Sequence, residues 1–164
     1  MSESLPESIL NAVEMAPVED LILAVLRPKV APVQVQSAFE ASQTFPVVVI
    51  RSSGSYGNWG GDPRFLDKAT LNVDCLTYGI NSDEDANLLA EAVRVALRDS
   101  VNEVTPYGYL TKVELLERPK RAPDWANSVG PVQYADLPEG VERWATTYRL
   151  VIRKPASSPY STTS

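Results

Sequence analysis

The sequence predicts an α+β domain: a mostly antiparallel sheet with one long helix packed across it and a short N-terminal helix. Three observations carry that expectation. Ala69, Leu71, Val73 and Cys75 alternate with Thr70, Asn72 and Asp74, the period of two of a strand with one buried face. Ala86, Leu89, Ala90, Val93, Leu97 and Val101 then recur at spacings of three and four, with Glu91, Arg94 and Arg98 off the stripe, as in an amphipathic helix. Strand-length runs flank this pair, at Phe45–Ile50 before it and at Leu110–Arg118 and Val141–Lys154 after it. The helical stripe is expected to cover the apolar face of the strand.

In chain order, residues 1–16 form an acidic leader, mobile or weakly helical, with Glu3, Glu7 and Glu14. Residues 17–154 read as a single domain. Pro17 opens a helix to Leu26 with Glu19 and Asp20 in its first turn, Leu21, Ile22, Val25 and Leu26 on its buried stripe, and Arg27 at its end. Acid first and base last suit the helix dipole, and Pro28 is expected to stop the helix. Val33–Gln36 alternates and reads as a short strand. The continuous apolar run Val47–Ile50 suits a strand covered on both faces, with Pro46 at its first position.

After the long strand ending at Tyr78, Gly79 to Asn81 turn the chain, and Ser82 with Asp85 three residues on reads as a capping box. Thr105-Pro106-Tyr107-Gly108 is a turn. In the next strand Leu110, Lys112, Glu114 and Leu116 alternate against Thr111, Val113, Leu115 and Glu117; both sets mix apolar and charged side chains, so the buried face is not decided. In the last strand Trp144, Thr146, Tyr148, Leu150 and Ile152 take one face. The tail 155–164, rich in Ser and Thr and without charge, is expected to be disordered in isolation.

Composition narrows the chemistry. The chain has 164 residues, no histidine and one cysteine. Ser-His-Asp and Cys-His catalysis need an imidazole, and zinc sites built on His or several Cys are excluded with it. Cys75 lies on the inward strand face and reads as a small buried hydrophobe. A net charge of −6 disfavours gripping a phosphate backbone. No phosphate-binding glycine motif is present. An N-terminus acidic before its first base, Arg27, has the wrong charge for a signal or transit peptide, which points to a cytoplasm or a particle assembled there.

Two long loops hold the candidate partner-binding residues. Residues 51–63 contain Gly54, Gly57, Gly60 and Gly61 with Tyr56, Asn58 and Trp59. At about 13 residues, such a loop is at the length where functional loops become common. Its aromatic residues either anchor a partner chain or fold back on the body. Residues 119–140 contain Pro119, Pro123, Pro131 and Pro138 with Lys120, Arg121, Trp125 and Tyr134, and read as an irregular arm off the sheet. The Lys120-Arg121 pair either touches nucleic acid or is a solvated loop, and the acidic balance favours the second.

The element order and its local sequences resemble the tail terminator (tail completion) proteins of long-tailed bacteriophages. The carrying residues are the helix Pro17–Leu26 with Arg27-Pro28, the strand Phe45–Ile50, the strand Ala69–Tyr78 ending in Tyr-Gly, and the Ala-rich helix opening Ser-Asp-Glu-Asp-Ala. The resemblance covers roughly residues 17–118 and the last strand. It implies a homo-oligomeric ring, usually a hexamer, at the head-proximal end of the tail tube. Such a ring ends tube polymerisation and joins the tail to the head connector. Its partners would be itself, the tail tube protein and the head-tail connector or stopper protein, with DNA passing through the lumen without specific binding. It would be a virion protein of the tail or neck, assembled in the bacterial host cytoplasm.

That reading expects a structural protein and no enzyme, with no cofactor, no metal and no membrane contact. Its rivals are another head-tail neck protein (stopper or adaptor), a monomeric α+β ligand-binding domain, and an enzyme working through carboxylates such as Asp62 with Asp67, or Asp74.

Overall fold

The computed structural model describes residues 5–13, 16–38, 43–52, 66–121, 140–156 and 158–160. They form three helices and a five-stranded sheet: α1 (Glu7–Ala12), α2 (Val18–Val30), β1 (Gln34–Gln36), β2 (Val47–Ser52), β3 (Leu66–Tyr78), α3 (Ser82–Asp99), β4 (Tyr109–Arg121) and β5 (Val141–Arg153). The strand order is β1-β2-β3-β5-β4. Only the β1–β2 pair is parallel. The protein is an α+β domain with a mostly antiparallel sheet, as its patterning indicates.

The alternation in β3 does what a period of two requires. Ala69, Leu71, Val73 and Cys75 are buried, and Val48 and Ile50 of β2 and Tyr148, Leu150 and Ile152 of β5 join them in one core. α2 and α3 both cover this face: Leu21, Ile22, Val25 and Leu26 come from α2, and Ala90, Val93, Ala96 and Leu97 from α3. Each fully buried leucine or isoleucine there stabilises the fold by about 1.5–3 kcal/mol. β2 is covered on both sides, since Val47 and Val49 pack with Leu76, Val141 and Phe45 in a second, smaller cluster on the other face.

Side chains tie the short edge strand to its neighbours. The Arg27 guanidinium donates twice to the Val35 carbonyl at 3.2 Å, and Arg51 donates to the Ser37 carbonyl at 2.8 Å. Glu19 in the first turn of α2 accepts the Ser52 backbone N–H at 3.1 Å.

Several local expectations are corrected. Pro28 does not stop α2; it lies inside the helix, which runs to Val30. Val30 is buried in the core, and its burial together with the Arg27 hold on Val35 carries the last turn past the proline.

Ser82 does not cap α3 with its side chain. Asn81 holds the cap position, with no side-chain cap bond, and Ser82 is the first helical residue and buried. Gly79, at φ +121°, turns the chain early enough for this, since a positive φ costs glycine little. The Ser82 carbonyl then accepts the Thr77 hydroxyl.

Arg51 and Ser52 belong to β2, not to the loop after it. Pro119, Lys120 and Arg121 belong to β4, not to an irregular arm. Proline is tolerated there because β4 is an edge strand. The alternation in β4 also changes phase. Leu110 and Val113 pair with the core residues Ile152 and Leu150, across a register shift between Leu110 and Lys112. Leu115 pairs with Tyr148, so Leu110, Val113 and Leu115 share the helix side. A bulge of this kind is what mixed both faces in the sequence pattern.

The described residues of the tail lie against the N-terminal helices. Ser158 donates to the Leu10 carbonyl at 2.8 Å, and the Tyr160 hydroxyl donates to Asp20 at 3.2 Å. The chain after β5 thus straps α1 and the start of α2.

Candidate interaction surface

The sheet has two unlike edges. One is β1, three residues long. The other is β4, thirteen residues long, whose outer side pairs with no strand among the described residues. Its distal half is open: Leu115 and Leu116 are 38% and 42% exposed, and Glu117, Arg118 and Lys120 are exposed around them. Register shifts interrupt it between Leu115 and Glu117 and between Glu117 and Lys120. Bulges, charges and a proline are the devices that keep an edge from adding strands indiscriminately. Contact along this flank therefore falls to side chains.

A shallow groove of about 320 Å³ runs between this half of β4 and the flank of α3, lined by Glu91, Arg94, Leu115, Arg118 and Pro119. Arg94 grips Glu91 through two bonds, at 2.9 and 2.5 Å. That pair holds the Glu91 carboxyl below its ordinary range. Arg118 leaves the groove with one more positive than negative group, on a chain that is acidic overall. Tyr148, directly across from Leu115, is 1% exposed, and burial pushes its phenol up.

The far end of β4 is locked in place. Arg121 donates to Asp83 through Nε at 2.8 Å and through Nη2. The Trp144 indole donates to the same carboxylate at 2.9 Å. The clamp joins β4, β5 and the first turn of α3, where a carboxylate also suits the helix dipole. Arg121, expected to meet a partner, is thus engaged within the chain. Lys120 is exposed and lies 3.4 Å from Glu117. Tyr56, Asn58, Trp59, Trp125 and Tyr134 fall outside the described residues.

Beside the small Val47–Val49–Leu76–Val141 cluster, the face of the sheet away from α2 and α3 carries cross-strand polar pairs. Asp74 pairs with Arg143 at 3.0 Å, Asn72 accepts from Thr147 at 3.2 Å, and Glu114 pairs with Arg149 at 3.4 Å. Asp74, offered as an outward carboxylate, is therefore half of a cross-strand ion pair. Cys75 is fully buried, and burial with Asp74 nearby pushes its thiol far above the ordinary range, which keeps it protonated and inert. Among the described residues no group of three or more His, Cys, Asp or Glu could hold a metal ion, and no helix is long and apolar enough to cross a membrane.

No protein-family model matches the chain, and no curated protein matches it.

Sequence reasoning missed Leu115 and Leu116. Two adjacent leucines in an otherwise alternating strand are the available signal, because they mark the register shift between Leu115 and Glu117. It also missed Leu5, just before α1 and 47% exposed, and Ile9, within α1 and 49% exposed, which the leader's acidity obscured.

Proposed function

We propose that the chain is a structural ring subunit of a long-tailed bacteriophage, a tail terminator that ends growth of the tail tube and joins it to the head connector. The observation that carries this reading is the inequality of the two sheet edges. β1 is short and held by α2, whereas β4 is long, bulged and flanked by exposed leucines. A ring needs a heterologous contact, in which one flank of each copy meets a different flank of the next. Two unlike flanks of one sheet supply that asymmetry. The resemblance of the opening helix, the Phe45–Ile50 strand and the β3–α3 unit to tail terminators supplies the place of the ring.

On this reading the protein acts by shape. Copies close around a lumen wide enough for DNA, one rim fits the last layer of tube subunits, and the other meets the connector. The net negative charge keeps the passing backbone from sticking.

The test is tube growth. Purified chain is added, at a small fraction of the subunit concentration, to the growing tail tube protein encoded with it. Tubes that stop lengthening, with one ring's worth of chain per tube, support the reading. Tubes that grow at the same rate overturn it.

A further inference from the structure

We propose that the contact between neighbouring copies seats the N-terminal segment of one copy in the α3–β4 groove of the next. This rests on the ring reading and names the residues that close it.

The segment is built to be met from outside. No residue of α1 is buried. Its backbone is nonetheless anchored, because Ser158 holds the Leu10 carbonyl. Leu5 and Ile9, four residues apart, are each about half exposed. Large apolar side chains fixed in water are costly unless a partner covers them. The same stretch is acidic, with Glu3, Glu7 and Glu14 and no base before Arg27.

The groove answers both properties. Leu115 and Pro119 offer apolar surface, and with Arg94 paired to Glu91, Arg118 leaves the groove one net positive charge. A net positive groove is scarce on a chain with 15 basic against 21 acidic residues. The two features also belong to different elements of the chain. α1 is strapped to α2 through Ser158 and Tyr160, and α2 packs on α3 as well as on β1 and β2. The groove lies beside β4, at the other end of the strand order. A patch on one element and its complement on another make a head-to-tail contact that repeats.

Cross-linking tests it directly, since Cys75 is buried and leaves introduced thiols as the reactive ones. Full-length Ile9→Cys and Leu115→Cys chains are mixed and oxidised. A disulfide joining one chain of each kind, absent from either chain alone, is the expected product. With both substitutions in one chain, ladders of linked copies are expected. A link within the chain means that the segment lies in its own groove and overturns the proposal, as does the absence of any link. In parallel, Arg118→Glu should weaken self-association about tenfold, because reversal replaces one attraction with a repulsion, and Glu7→Arg in the partner chain should restore it. Rings that form equally well with Arg118→Glu and without cross-links sink this contact and leave the ring standing. A chain that stays single at every concentration and on tube ends sinks both.

Discussion

Arg121 and Asp83, 38 positions apart, form a two-pronged ion pair that pins the end of the edge strand to the start of the long helix. Trp144 adds a third donor to the same carboxylate. Strand β4 is otherwise poorly anchored over its last seven residues, where its register slips twice. The pair therefore fixes the end of β4 against the first turn of α3.

The clamp has a pH signature. The Arg121 hydrogen bond, and after it that of Trp144, holds the Asp83 carboxyl below its ordinary range. A depressed folded-state value means stability that is present above the unfolded value, about 3.9, and lost as pH falls through the folded one. Asp83→Asn should be less stable than the parent at pH 7, and the two should converge as pH drops below about 4. Urea denaturation across that range checks this; a gap that stays constant down to pH 2 contradicts it.

The Asp74–Arg143 pair should matter more than the exposed pairs, because its side chains are only 17% and 10% exposed. Asp74→Ala leaves a half-buried guanidinium without its main counter-charge, and should cost on the order of 3 kcal/mol. Glu117→Ala, which removes the partner of exposed Lys120, should cost less than about 1 kcal/mol. Chemical denaturation of both variants ranks them, and equal losses would refute the assignment.

Two glycines should respond differently to alanine. Gly79 has φ +121° and nothing within 4 Å of an added Cβ, whereas Gly108 has φ +106° and would place Cβ 2.2 Å from the Arg153 carbonyl oxygen. Gly79→Ala pays the backbone strain alone, about 1–3 kcal/mol. Gly108→Ala adds a backbone clash at the base of the β4–β5 pairing and should lower the melting temperature clearly further. The reverse order would contradict the turn geometry.

The strap is a local device. Ser158→Ala removes two hydrogen bonds, the one to the Leu10 carbonyl and the one from the Tyr160 backbone N–H, and Tyr160→Phe removes one, each worth about 0.5–1.5 kcal/mol. Amide exchange should speed up in α1 and at the start of α2, with the core strands unchanged. Uniform change across the sheet would show instead that the tail supports the whole fold.

How far the sequence could be read follows from which forces act locally. The β3 alternation and the α3 stripe were legible because a period of two or of 3.6 is itself the burial pattern. β2 was legible as a doubly covered strand for the same reason. Pro28 misleads because the burial of Val30 is tertiary and overrides the local stop signal, and Ser82 misleads because the chain turns at Gly79, so that Asn81 takes the cap position. The face of β4 was illegible because a bulge resets the period. The groove was hidden for a related reason: Arg94, Leu115 and Arg118 meet only once α3 and β4 are packed.

The ring itself is tested most directly by imaging the purified chain mixed with tail tubes under negative stain. A toroid about as wide as the tube, seated on one end of each tube and there alone, is the expected image. Tubes with bare ends beside lone compact particles would contradict it.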